Sequence, residues 1–357
     1  MDGKLVLANG LSFDGKLHGA CQPAMGEVVF TTGMTGYWET LTDPSYAGQL
    51  ITMTYPLQGN YGVNPEKAES EHIWCKGMIV RELCDFPNHF SMQGTLEQFL
   101  TENQITVISE LDTRALVRLL RSYGVMEGII VPATVSQQDA LAMLKGMEHP
   151  DYVKQVACSQ MHSIKGSGTR VALIDFGAKN NIIRKLQALD CNITIFPPDC
   201  TASQVMAVHP DGVLLSNGPG APEVQGSAIS LVRDLAGRVP MVGICLGHQI
   251  IALAMGAATY KLPFGHRGGN HPVKDLASGQ VRMTSQNHGY AVDLSSVQHT
   301  QLEVTHIQLN DNTVEGLRHK TLPIWSIQYH PEGSPGPLDS SSLFGSVIRT
   351  FQRKKGH

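Results

Sequence analysis

The chain has 357 residues, 42% of them hydrophobic, with 27 basic against 31 acidic side chains and a net charge of -4. Such a chain buries a sizeable core, and its length favours two domains over one. The charge balance excludes a basic nucleic-acid or membrane surface, because the one basic block is the short tail Arg353-Lys354-Lys355, read as solvated.

From the amino terminus, MDGKLVLANG lacks the basic and apolar regions of a secretory leader, and no apolar run reaches spanning length, so a cytoplasmic location is expected. Short apolar runs, Glu27-Val28-Val29-Phe30 and Leu50-Ile51-Thr52-Met53-Thr54, alternate with turn clusters at Thr42-Asp43-Pro44-Ser45 and Gln58-Gly59-Asn60-Tyr61-Gly62. Residues 1–150 therefore read as a strand-rich α/β domain. Within it a helix is predicted from the N-cap Asp112, with Ala115, Leu116, Leu119 and Leu120 at helical spacing. Small polar residues from Ser159 to Gly168 mark a linker, placed at residues 151–169.

Residues 170–357 change character. Short buried-strand runs at Val171–Asp175, Asn192–Phe196, Gly212–Leu215, Val239–Ile244 and Ile324–Gln328 are separated by helical segments such as that through Ile182-Ile183-Arg184-Lys185-Leu186. That alternation predicts a mostly parallel sheet flanked by helices, with any site at the carboxyl ends of its strands.

Seven cysteines without a Cys-x-x-Cys pair argue against a disulfide framework and a structural zinc site. The histidine-bearing run Gly265-His266-Arg267-Gly268-Gly269-Asn270-His271 has no carboxylate or thiol set nearby, so no metal is expected.

One cysteine stands apart. Gly243-Ile244-Cys245-Leu246-Gly247 has the spacing of a nucleophile elbow, in which flanking glycines permit a sharp strand-to-helix turn that pushes the middle side chain out. A helix N-terminus there favours thiolate, and the Leu246 N–H points where an oxyanion forms. The competing reading is a buried core cysteine. A thiolate nucleophile needs an oriented base, and His330 with Glu332, in Gln328-Tyr329-His330-Pro331-Glu332, can share one side at the mouth of the last strand. Alone, such a pair is more often an ordinary surface pair. Ser216-Asn217-Gly218-Pro219-Gly220 adds a turn whose Gly220 N–H is a candidate second oxyanion donor; its competing reading is a plain β-turn.

These three stretches, in this order, closely resemble the class I glutamine amidotransferase family over roughly residues 170 to 355. The resemblance implies a Cys245-His330-Glu332 triad that hydrolyses glutamine through a glutamyl thioester. Asp43-Pro44-Ser45-Tyr46-Ala47-Gly48-Gln49, Gly59-Asn60-Tyr61-Gly62, Ile108-Ser109-Glu110-Leu111-Asp112-Thr113-Arg114 and Thr284-Ser285-Gln286-Asn287-His288-Gly289-Tyr290 resemble, in addition, the small-chain family of carbamoyl phosphate synthetases. By that resemblance Ser45, Gly218, Gly220, Leu246, Gln249, Asn287, Gly289 and Tyr290 bind L-glutamine. Against each stands a plainer role: Ser45 as an N-cap, Gln249 as a helix side chain, Tyr290 as core.

The resemblance further implies a large-chain partner, as a heterodimer or a larger assembly, that makes carbamoyl phosphate from bicarbonate and ATP for pyrimidine or arginine synthesis. This chain shows no Gly-x-x-x-x-Gly-Lys-Ser/Thr, so it is expected to hold no cofactor itself, with ATP and Mg on the large chain. Three residues depart from the family pattern: Glu110 stands where glycine is usual, and Gly333 and Leu338 where alanine and histidine are usual. The rival functions are a stand-alone γ-glutamyl cysteine hydrolase and a non-catalytic regulatory module on the same scaffold.

Overall fold

The computed structural model describes residues 1–352; the basic tail Arg353-Lys354-Lys355 lies outside the described residues. The chain forms two compact units, Met1–Pro150 and a second that begins at Asp151.

The first unit carries strands β1 (Asp2–Leu7), β2 (Ser12–Gly19), β3 (Ala24–Thr31), β4 (Gln49–Met53), β5 (Leu57–Gln58), β6 (Gly77–Ile79), β7 (Glu82–Leu83), β8 (Thr106–Ser109) and β9 (Met126–Pro132). Seven of them close a barrel in the order β1-β2-β8-β6-β4-β3-β9, while β5 and β7 pair apart. Helices α1 (Tyr37–Thr42), α2 (Leu96–Glu102), α3 (Thr113–Tyr123) and α4 (Gln137–Lys145) accompany it. Val28 and Val29, like Leu50 and Ile51, are consecutive and fully buried. Successive strand residues face opposite sides, so these strands are covered on both, which is why they read as unbroken apolar runs. Val29 and Ile51 pack in one cluster with Trp38 and Leu41 of α1 and Leu96 and Leu100 of α2.

Helix α3 begins where predicted, its Ala115 N–H donating to the Asp112 carboxylate at 2.9 Å. Its buried stripe is Leu116 and Leu120, whereas Ala115 is exposed and Leu119 half-buried. Glu110, just after β8, has φ 59. That left-handed conformation explains physically why glycine suits the position. Its carboxylate meets Lys16 at 2.8 Å on the surface.

The second unit carries α5 (Tyr152–Val156), β10 (His162–Ile164), β11 (Arg170–Ile174), α6 (Asn180–Ala188), β12 (Asn192–Phe196), α7 (Ala202–Ala207), β13 (Gly212–Leu215), α8 (Gly226–Leu235), β14 (Met241–Ile244), α9 (Leu246–Ala254), β15 (Thr259–Asp275), β16 (Val281–Val292), α10 (Leu294–Val297), β17 (Leu302–Gln308), β18 (Val314–His319), β19 (Ile324–Ile327) and α11 (Leu343–Gln352). Ten strands form one sheet in the order β10-β12-β11-β13-β14-β19-β18-β17-β15-β16. The five strands from β12 to β19 are parallel. The sheet continues antiparallel through β18, β17, β15 and β16, so the expected parallel sheet is the central part of a mixed one.

Alternate strand residues feed two cores. Ala172, Ile174, Val213 and Leu215 pack with Leu231 and Val232 of α8 and Ile250 and Ile251 of α9. Val171, Leu173, Leu214 and Val242 pack on the other face with Ile182 and Leu186 of α6 and Phe344 and Val347 of α11. The expected linker at 151–169 requires correction: it contains α5, whose Val153 is buried, and β10, which pairs antiparallel with β12. Polar residues there were misleading because an edge strand needs only one apolar side. Among the described residues no helix is long and apolar enough to cross a membrane.

Candidate active site

Strand β14 ends at Ile244 and α9 starts at Leu246, so Cys245 alone makes the turn, with φ 53 and ψ -104. A non-glycine residue there costs about 1–3 kcal/mol and persists only where its surroundings over-determine it. They do. The Cys245 N–H donates to the Ile327 carbonyl at 2.9 Å, and its own carbonyl accepts from the His248 and Gln249 N–H groups. Both flanking glycines are needed sterically: a Cβ on Gly243 would sit 2.5 Å from the Gly247 carbonyl oxygen, and one on Gly247 would sit 2.4 Å from that of Leu215.

His330 follows β19 and is pinned by its own N–H, which donates to the Ser285 carbonyl at 2.9 Å. Its Nδ1 is 2.6 Å from Glu332 Oε1, and both side chains are buried. Since Nδ1–H donates to the carboxylate, Nε2 is the nitrogen left for chemistry. Cys245 lies close enough to act on it electrostatically and to raise its pKa. Burial pulls the imidazole downward, but Glu332 and Cys245 outweigh it and hold His330 up at about 10. Glu332 is pushed up by burial and, more strongly in sum, pulled down by Lys179 and His330, to about 2. His248, beside the cysteine in sequence, is no rival base: burial pushes it down to about 3, and its Nδ1 is 2.9 Å from Ser326 Oγ.

Lys179 is the residue that sequence reasoning missed. Fully buried, it places Nζ 3.1 Å from Glu332 Oε1 and donates to the Gly333 carbonyl at 2.7 Å. A lysine buried this deeply must have a charged partner, but its Asn-rich neighbourhood, Lys179-Asn180-Asn181, reads as a solvated turn. The result is a row of alternating charge, Lys179, Glu332 and His330, that ends at the cysteine.

The remaining candidates fall in three places. Leu246 and Gly218 meet, since a Cβ on Gly218 would lie 2.8 Å from the Leu246 side chain, whereas Gly220, at φ 85, opens to space. Asn287 joins the cysteine through its carbonyl, 3.6 Å from Sγ. Gln249 is buried, and its Nε2 donates to the Tyr290 carbonyl at 2.9 Å and to Gln328 Oε1 at 3.0 Å. That ties the elbow helix to the Asn287–Tyr290 stretch and leaves Gln249 Oε1 as the amide atom available to a ligand. Tyr290 and Gly289 are half-buried, so neither is plain core. Ser45 belongs to the first unit, buried in the one-turn helix Pro44–Tyr46, where Asp43 and not Ser45 is the N-cap.

Residues 172–350 match the model of glutamine amidotransferase class-I, and residues 5–130 that of the carbamoyl-phosphate synthase small chain, CPSase domain. A carbamoyl phosphate synthase small chain of Clostridium perfringens is 49% identical over 98% of this chain and 99% of its own length. Those of Bacillus caldolyticus and Listeria monocytogenes are also 49% identical, covering 99% and 98% of this chain and 98% and 97% of their own. The chain belongs to the carbamoyl phosphate synthase small-chain family and carries its class I glutamine amidotransferase domain.

Proposed function

We propose that Cys245, His330 and Glu332 form the triad with which this chain takes ammonia from L-glutamine and delivers it to a large chain. At the coarser level the chain is the glutamine-hydrolysing subunit of carbamoyl phosphate synthase, a ligase system. The observation that carries the finer reading is the buried 2.6 Å contact of His330 with Glu332, backed by Lys179, beside a cysteine in a left-handed elbow.

In this mechanism the Cys245 thiolate attacks the carboxamide carbon of glutamine, and the oxyanion is met by the N–H groups of Leu246 and Gly220. His330, as imidazolium, gives its Nε2 proton to the departing nitrogen, so ammonia leaves and a glutamyl thioester remains. The neutral imidazole then takes a proton from water, which attacks the thioester to release glutamate and regenerate the thiolate. Asn287, Gly289, Tyr290, Gln249 and Gly218 hold the substrate. Bicarbonate, ATP and Mg belong to the large chain. Ammonium is no nucleophile, which is the chemical reason for handing ammonia over enclosed. A cytoplasmic setting is part of this reading, supported by seven cysteines that are all free thiols.

The test is glutamate release by the purified chain and by Cys245→Ser, each with and without a carbamoyl phosphate synthase large chain. Release should rise with the large chain and fall by at least about 10³-fold in the variant. Release that ignores the large chain favours a stand-alone hydrolase, and release that survives Cys245→Ser refutes the triad.

A further inference from the structure

The second unit holds another cluster of ionisable side chains, none of them a member of the triad. His266 on β15, His288 on β16 and Glu315 on β18 are all buried, and one ligand atom from each lies within 4.8 Å of the others. The run around His266 offers no carboxylate in sequence; the fold brings one in from a separate strand. We propose that His266, His288 and Glu315 form a binding site for a divalent cation of the zinc class that cross-links these three strands.

The pattern of satisfied and unsatisfied atoms carries the argument. Each of the three residues is anchored through one polar atom and keeps the other bare. His266 Nε2 is 2.7 Å from Asp311 Oδ2, His288 Nδ1 is 2.7 Å from the Tyr290 carbonyl, and Glu315 Oε2 accepts from Gln286 Nε2 at 2.8 Å. Left without a hydrogen-bond partner among the described residues are His266 Nδ1, His288 Nε2 and Glu315 Oε1, all inaccessible. Three bare polar atoms in one dry place are costly. Metal-binding histidines usually give their second ring N–H to a carboxylate or a backbone carbonyl, which fixes the tautomer, and both arrangements occur here.

The obvious alternative, an ion pair of His266 with Glu315, is poorly made: Nδ1 and Oε1 are 3.8 Å apart. Around zinc, nitrogen and oxygen ligands at about 2.0–2.2 Å lie roughly 3.3–3.5 Å from one another, so a small inward movement completes the set. Two histidines and one carboxylate are an established zinc donor set. Glu315 and Asp311 set two negative charges against a dication, in a place where the buried Arg267 is the neighbouring cation.

The test uses the full chain carrying Cys245→Ser, so that the active-site thiol takes no metal, stripped with chelator and then loaded with Zn²⁺ or Co²⁺. One equivalent of Zn²⁺ should survive gel filtration, and Co²⁺ should give visible d–d bands without thiolate charge transfer. Glu315→Gln should weaken binding at least about tenfold, and Asp311→Asn about 10–100-fold. Zn²⁺ should also raise the unfolding midpoint of the parent and not of Glu315→Gln. Asp311, 39% exposed, keeps the test intact should Glu315→Gln fail to fold. Uptake below about a tenth of an equivalent, affinity unchanged in Asp311→Asn, or a Co²⁺ spectrum dominated by thiolate would overturn the proposal.

Discussion

Among the described residues two strands are followed at once by a non-glycine residue with positive φ: β8 by Glu110, at φ 59, and β14 by Cys245, at φ 53. The φ values are nearly the same, and the burial of the two residues is opposite. Glu110 is exposed; its N–H donates to the Arg81 carbonyl at 3.0 Å and its carboxylate meets the surface Lys16. Cys245 is buried, hydrogen-bonded at its N–H and carbonyl, and enclosed by two glycines that leave no room for a Cβ. At Glu110 the fold tolerates an awkward residue; at Cys245 it is built around one. Strain marks function only where neighbouring structure is committed to keeping it.

If the commitment around Cys245 is real, breaking it should cost far more than relieving Glu110. The largest effect is expected from Lys179→Met, which leaves Glu332 charged, buried and without its lysine. Denaturant unfolding at neutral pH should show a loss of about 3–5 kcal/mol. The pH profile sharpens the point. Glu332 is held below its ordinary 4.5, at about 2, so its contribution is present above pH 4.5 and lost as pH falls through about 2. Without Lys179 the carboxyl rises, and acid destabilisation should begin at higher pH than in the parent. His330 has the opposite sign. Raised from 6.5 to about 10, it stabilises fully below pH 6.5 and loses that contribution as pH rises through about 10. An unchanged acid limb in Lys179→Met would refute the coupling.

Next in size is Gly247→Ala, whose new Cβ must push against the Leu215 carbonyl. About 1–3 kcal/mol of stability should go, and glutamate release should fall about 10²-fold as the thiol is displaced. Full activity in this variant would show that the elbow is more pliant than its contacts imply. Smallest is Glu110→Gly. It removes an unfavourable left-handed residue and a weak surface ion pair, while adding freedom to the unfolded chain. The net gain should be under about 1 kcal/mol, read from the thermal midpoint, with activity unchanged. A large loss there would mean the two strand ends do not differ as described.

How much of this was legible in the sequence depends on how local the signal is. The Gly-x-Cys-x-Gly elbow is local, because adjacent residues set one turn. The central parallel strands were legible for a similar reason: strands buried on both faces are written as short apolar runs. Barrel closure in the first unit was not, since β4, β6 and β8 pair in parallel across long connections that leave no trace in residue spacing. Lys179 stayed hidden because its partner Glu332 lies at the far end of the domain and a lysine among asparagines looks solvated. Glu315 stayed hidden from His266 in the same way.

The strand misread as linker has a consequence for association between molecules. Without β10, the outer edge of β12 would present a row of open backbone donors and acceptors, a template on which another copy's strand can pair. By laying His162–Ile164 along that edge, the chain spends three short residues on guarding it. The new boundary is itself brief and polar, with His162 and Ser163 facing solvent, and so offers a poor surface for edge-to-edge aggregation. Strand β10 is thus a guard strand that follows α5, and any fragment meant to stay monodisperse has to begin before it.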